Sequence, residues 1–198
     1  MYCFVLRLSG TMQSYNSALF QECNLQPSVT AIAGMIANAC GWSKNAYDDF
    51  RSRDIILNHM KYFNVIVSEP GQEYIDLRTV GGQRWSADFI EAMTGKKIST
   101  TQGNNYYIPS SARSEFSQLH DVSYICNAEF FVVVGFSDSA MAEMAFNAVR
   151  YPSRSIALGA QNCMPDKPIL YSKHVIDVDP QDLTRRLEER LHEYQYPE

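Results

Sequence analysis

The stretch Tyr2-Cys-Phe-Val-Leu-Arg-Leu8 is apolar on both faces except at Arg7, which predicts a strand buried in the middle of a sheet and ended by Gly10. A polar, aromatic-punctuated loop from Thr11 to Gln26 follows. Beyond Pro27-Ser28, apolar residues fall at Val29, Ile32, Ala33, Ile36, Ala39 and Cys40. That spacing predicts a helix with Ser28 as N-cap and Gly41 at its stop. Asp49 to Ile56 reads as a short helix and Met60 to Val67 as a second strand, and Pro70-Gly71 turns the chain into a third from Glu73 to Val80. From 81 to 119, Gly81-Gly82, Gly95-Lys96-Lys97, Gly103-Asn104-Asn105 and Pro109-Ser110-Ser111 break up any period, as in an extended hairpin or thumb. Regular structure resumes at Val122, and Ala128 to Phe136, rich in β-branched and aromatic residues, is the strongest strand. Asp138 or Ser139 then caps a helix carrying Met141, Met144, Ala145, Ala148 and Val149. Ile169 to Tyr171 reads as a short strand, and Asp179-Pro180 opens a terminal helix.

In this order the elements predict an α+β protein, a ferredoxin-like (RRM-type) antiparallel sheet with an inserted thumb hairpin. Residues 1–174 form one domain with the thumb at about 81–119, and 175–198 form an acidic C-terminal helix and tail. With 198 residues and 45% hydrophobic content, the chain can bury one substantial core. The longest apolar run, Phe130 to Phe136, is too short to cross a bilayer, and the chain opens as a strand, so neither membrane span nor signal peptide is expected. Five scattered cysteines (Cys3, Cys23, Cys40, Cys126, Cys163) without a CxxC pair fit a reduced, cytoplasmic protein with no zinc site.

The net charge of −5 weighs against a nucleic-acid partner, because Lys and Arg must replace condensed counterions. Its distribution softens that objection. Residues 175–198 hold seven acids against three arginines, a balance of −4, which leaves −1 for the rest. A near-neutral body suits a subunit inside an assembly better than a stand-alone binder.

Three stretches offer contacts. In Leu6-Arg-Leu-Ser-Gly-Thr-Met-Gln-Ser-Tyr15 a glycine permits close approach, Gln13 and Ser14 carry donors and Tyr15 a stacking ring, although a plain β-loop with a packed tyrosine explains the same residues. Pro27-Ser-Val-Thr-Ala-Ile places the Ser28 and Thr30 hydroxyls and free N–H groups at a helix start, either as a phosphate site or as a simple cap. Leu158-Gly-Ala-Gln-Asn-Cys-Met-Pro165 offers Gln161 and Asn162, while Cys163, with no nearby base, reads as packing.

These blocks, in order, resemble the Cas-five (CasD-like) family of type I CRISPR surveillance (Cascade) subunits. Residues 6–15 look like its L-R-L-x-G-x-M-Q-x-W/Y opening, and Pro27 to Ile36 resembles P-T-x-S-x-x-x-G-L-L. Arg78-Thr-Val-Gly-Gly82 is similar to T-V-G-G, Tyr124 to Phe130 to Y-L-x-D-A-x-F, and residues 158–165 to L-G-R-R/K-x-C-x-P. The resemblance implies a non-catalytic, cofactor-free subunit that binds the 5′ handle of the CRISPR RNA and caps the Cas-seven backbone beside the large subunit. It would meet target DNA only through the complex. Gln13, Ser14, Tyr15, Ser28, Thr30, Arg78, Gln161 and Asn162 would then face RNA. The thumb, with Arg84, Lys96, Lys97 and Arg113 against Asp88, Glu91 and Glu115, would wedge the guide. The chain departs from the family pattern at Val29, Val122, Asn127 and Ala160-Gln161, where polar or basic residues are expected.

Two other functions fit. One branch of the family cleaves precursor CRISPR RNA without metal, and His120, at the thumb's return, is the candidate base among four histidines. A structural subunit of an unrelated complex without RNA contact suits the acidic balance. The Leu183, Leu187 and Leu191 stripe of the terminal helix would dock on a partner or on its own domain.

Overall fold

The computed structural model describes residues 1–15, 25–42, 46–80, 118–160 and 162–195, with the backbone alone at 46–52, 77–80, 118–122 and 194–195. Within them the chain runs β1 (Tyr2–Gln13), α1 (Val29–Ala39), α2 (Ala46–His59), β2 (Met60–Glu69), β3 (Gln72–Val80), β4 (Gln118–Phe136), α3 (Ser139–Arg150), β5 (Ile176–Asp177) and α4 (Pro180–Gln195). It is an α+β protein in which an antiparallel sheet packs with four helices among the described residues. The strand order is β2-β4-β1-β5, and β3 also pairs with β4. The chain divides into two compact units, Met1–Tyr74 with Ser123–Glu198, and Ile75–Val122.

β4 is the hub. Its apolar run pairs antiparallel with β1 from Tyr2↔Phe136 to Gln13↔Ile125, and with β2 from Met60↔Phe136 to Glu69↔Glu129. Because side chains alternate across a strand, this register sorts β1 into two faces. Phe4, Leu6 and Leu8 point with Phe130, Val132, Val134 and Phe136 toward the face on which α3 packs, and all seven are buried. There Phe4 stacks on Phe136 at 6.0 Å and meets Phe146 of α3 edge-on at 5.7 Å. α1 contributes Ile32, Ala33, Ile36 and Ala39 to the buried set, the stripe its spacing predicted.

The opposite face is only partly apolar. Val5, Ile66, Phe131 and Val133 form a cluster capped by Leu187 of α4, with Tyr62, Leu183 and Leu191 packed around it. Tyr62 and Thr184 join their hydroxyls at 3.0 Å. The C-terminal helix thus docks on its own sheet, one of the two placements its leucine stripe allowed, and belongs to the first unit. Its outer face carries Arg185 between Asp182 and Glu189.

Several expected boundaries move. β1 does not stop at Gly10, which pairs with Ala128 and lets the strand run on to Gln13. α2 is longer than Asp49 to Ile56 and passes directly into β2. β4 begins at Gln118, before Val122. The segment at Ile169 to Tyr171 makes one bridge, Leu170 to Leu6, and the two-residue β5 continues along the same side of β1. Ser28, Asp138 and Gly41 serve as foreseen: each cap side chain accepts from a helix N–H, and Gly41 takes φ +75°. Of the expected thumb, residues 81–117 lie outside the described residues.

Leu187→Ala is expected to lower the stability of the chain by about 2–4 kcal/mol, since it removes the α4 side chain that closes the cluster. A urea melt checks this; a loss below about 0.5 kcal/mol would show that α4 is only loosely attached.

Candidate nucleic-acid interface

The end of β1 and the loop at 158–165 are built as one piece. Ser14 N–H donates to Leu158 O at 3.0 Å, Asp166 N–H to Ser9 O at 3.0 Å, and Leu158 N–H to Cys163 O at 2.7 Å. Two glycines permit the approach. A Cβ on Gly10 would stand 2.8 Å from the Leu158 side chain and 2.9 Å from Met164 O, and one on Gly159, at φ +90°, would fall 1.6 Å from Ser14 O. The first and last motif blocks, some 150 residues apart, are thereby held side by side.

This packing corrects the reading of three candidates. Gln13 is 0% and Tyr15 5% exposed, and Ser14 is buried with them. Gln13 donates through Nε2 to Ala128 O at 2.6 Å, and its Oε1 accepts the Tyr15 hydroxyl at 2.8 Å. The Tyr15 ring lies edge-on to Phe130 at 6.5 Å, and burial pushes its hydroxyl pKa up. Ser14 Oγ donates to Ser123 O at 3.3 Å. Their polar atoms are spent inside the fold, so they brace the loop instead of facing a ligand. The packed-tyrosine alternative is the one observed. A buried polar network of this kind is the cheapest way to keep amides in an apolar interior.

The start of α1 stays accessible. Ser28 accepts from Ala31 N–H at 3.2 Å, its hydroxyl meets that of Thr30 at 2.9 Å, and the first turn holds no acid. Thr30 is exposed and Ser28 partly so. Asn162 is exposed, while Cys163 beside it is fully buried. Arg78 lies in β3, with its side chain not described, as does His120 in β4. Arg84, Lys96, Lys97, Arg113 and Gln161 fall outside the described residues. Among the described residues no cluster of His, Cys, Asp and Glu is placed to hold a metal ion, and no helix is long and apolar enough to cross a membrane.

A further polar group, on the same sheet face as the cluster under α4, was missed. Glu129 Oε1 accepts from Arg7 Nε and pairs with Arg7 Nη2, both at 2.8 Å, and it also accepts from Lys167 Nζ at 2.9 Å. Ser68 Oγ approaches Oε2 at 3.5 Å. The Arg7 guanidinium sits 5.7 Å from the Phe131 ring centre, and Phe131 is met edge-on by Tyr171 at 4.9 Å. The one signal was Arg7 itself, the only charge in an apolar strand. Burial would push the Glu129 carboxyl up, but the hydrogen bonds and charges of Arg7 and Lys167 outweigh it and hold the carboxyl below its ordinary value.

Two outcomes are expected. A depressed folded-state pKa means that the ionised Glu129 stabilises the fold fully above its unfolded pKa, about 4.3, and that this contribution fades as pH falls toward the folded value. Glu129→Gln should therefore flatten the acid side of the stability-pH profile, as thermal melts at stepped pH would show; an unchanged profile would contradict the pairing. Gly159→Ala should cost more than about 2 kcal/mol or displace the loop, because a left-handed residue and a backbone clash coincide there. Wild-type stability in that variant would contradict the close packing.

No curated protein matches the sequence. Among solved structures, a chain of a CRISPR RNA-guided surveillance complex superposes with a TM-score of 0.63 at 24% identity, over 93% of this chain and 66% of that one. A Cas protein crystal structure gives a TM-score of 0.56 at 15% identity, over 92% and 69%. The chain thus spans about two thirds of the length of these proteins, and at such identities they speak for the fold. The sequence itself carries the assignment: the model of the family described as CRISPR-associated protein (Cas_Cas5) matches residues 3–196, so the chain belongs to that family.

Proposed function

We propose that this chain is a non-catalytic subunit of a type I CRISPR surveillance complex that binds the 5′ handle of the guide RNA and caps the Cas-seven backbone beside the large subunit. In this reading it works in the cytoplasm and reaches target DNA only through the complex. The observation that carries it is the family match across residues 3–196. The likeness in fold to a surveillance-complex chain agrees with it. We read the β2-β4-β1-β5 order, with β1 and β2 both antiparallel to the β4 between them, as the ferredoxin-like, RRM-type arrangement.

The surface supports a modest grip. The acid-free start of α1, with Ser28 and Thr30, offers N–H groups and hydroxyls suited to a phosphate. Arg7 and Lys167 together exceed the single charge of Glu129. A chain at −5 with so small a local surplus depends on neighbours for the rest of the field.

Purified with its co-expressed neighbours, the chain should bring down guide RNA; an RNA-free complex would refute the reading. Incubation of the pure chain with repeat RNA in EDTA should leave the RNA intact. Specific cleavage lost in His120→Ala would make it the nuclease instead. Ser28→Asp separates capping from RNA contact, because aspartate caps as well as serine but repels phosphate. Its thermal melt should match wild type while RNA affinity falls about fivefold or more. Unchanged affinity would exclude the α1 start from the interface.

A further inference from the structure

An open groove of about 460 Å³ runs between the end of α3 and the segment at 164–170. Its walls include Val149, Ile156, Met164 and Pro165, with Arg150 and Lys167 also lining it. The volume falls in the range, about 300–1,000 Å³, in which proteins hold small organic groups. Lys167 faces two ways: it lines the groove and donates to Glu129, the carboxylate that Arg7 also holds. Arg150, Lys167 and Arg7 therefore follow one another along the surface of the first unit, with Glu129 between Arg7 and Lys167 and the exposed Asp166 and Glu69 close by, in a chain whose total is −5. Beside Arg150 stands Tyr151, 71% exposed, with the guanidinium 5.4 Å from its ring centre. Met164, 52% exposed, adds a soft apolar surface.

We propose that this groove and its cationic border form a subsite for single-stranded RNA, with phosphates tracking Arg150, Lys167 and Arg7 and a splayed base lying on the apolar wall. The inference rests on the RNA-binding reading above. It adds the place and the chemistry, at residues which that reading did not include. The design of single-strand sites favours this occupant: a positive track next to exposed aromatic and apolar surface takes any base by stacking and any phosphate by charge. The fit is by charge complementarity, since Arg150 and Lys167 border the apolar wall where a nucleotide has its phosphates. Glu129 keeps the Arg7 and Lys167 side chains in place, which lessens the entropy lost on binding. The groove wall continues directly from the loop anchored on Ser14, so Gln13, Tyr15 and Gly159 act on the subsite as positioning residues, holding Met164 and Pro165 where the base would rest.

Fluorescence anisotropy tests this with the full chain and a labelled single-stranded copy of the repeat segment, at several salt concentrations. Arg150→Ala with Lys167→Ala should weaken binding about tenfold, and should reduce the slope of log K against log salt by about 1.4, or about 0.7 for each phosphate no longer neutralised. Tyr151→Ala should weaken binding without changing the slope, as removal of a stacking ring does. Arg185→Ala with Arg186→Ala, on the outer face of α4, should change neither. Lys167→Arg should restore most of the affinity, which separates charge from folding, and Glu129 keeps Arg7 as a partner throughout. Three results would overturn the proposal. A wild-type chain without affinity for the RNA, alone or in its co-purified complex, removes the RNA reading altogether. Wild-type binding that the paired Arg150 and Lys167 substitutions leave intact removes only the groove. Retained RNA binding without co-purification of the neighbouring subunits makes the groove a protein interface.

Discussion

The antiparallel ladder between β1 and β4 is the constraint from which the rest of the described structure follows. Once Tyr2 lies opposite Phe136 and Gln13 opposite Ile125, every side chain of β1 has its face assigned. Phe4, Leu6 and Leu8 must meet the side of α3; Val5 and Arg7 must meet the other side, where α4 docks. A slip of one residue would place Arg7 in the aromatic layer of Phe4, Phe136 and Phe146, and burying an unpaired guanidinium there costs far more than any single apolar neighbour returns. The one charge in the strand thus helps to specify its register.

That register also explains why the second face is divided. Near Val5, Phe131 and Val133 it is apolar and α4 covers it with Leu187; near Arg7 and Glu129 it is polar and Lys167 reaches over it. The polar half continues through Lys167 to the groove beside Arg150. In this chain, at a net charge of −5, Arg7 and Lys167 share Glu129, and Lys167 shares the groove with Arg150. The RNA recognition proposed above would lean on geometry and stacking, with charge supplied locally, as suits a protein held in place by neighbours.

Much of the fold was legible in the sequence because burial pattern and caps agree locally. The run Ala128 to Phe136, the Ile32/Ala33/Ile36/Ala39 stripe, Ser28, Asp138 and Gly41 each carry a signal confined to a few residues. What was misread depends on partners remote in sequence. Gly10 reads as a stop on its own, yet it serves as a strand residue that lets Leu158 and Met164 come close. Gln13 and Tyr15 read as ligand groups because nothing nearby announces Ala128 and Phe130 as their partners. Lys167 and Arg150 carry no motif at all; only folding brings them to one groove and ties Lys167 to Glu129. Sequence shows which residues have chemistry, and the fold decides which of them still have it to offer at the surface.

The most direct measurement of the central claim is ultraviolet cross-linking of guide RNA within the co-purified complex, read out by mass spectrometry of the cross-linked peptides. The account predicts adducts on peptides spanning Arg150 to Lys167 and on the start of α1 near Thr30, with none on the buried Tyr15. A complex carrying RNA whose adducts on this chain avoid both segments, or which centre on Tyr15, would contradict it.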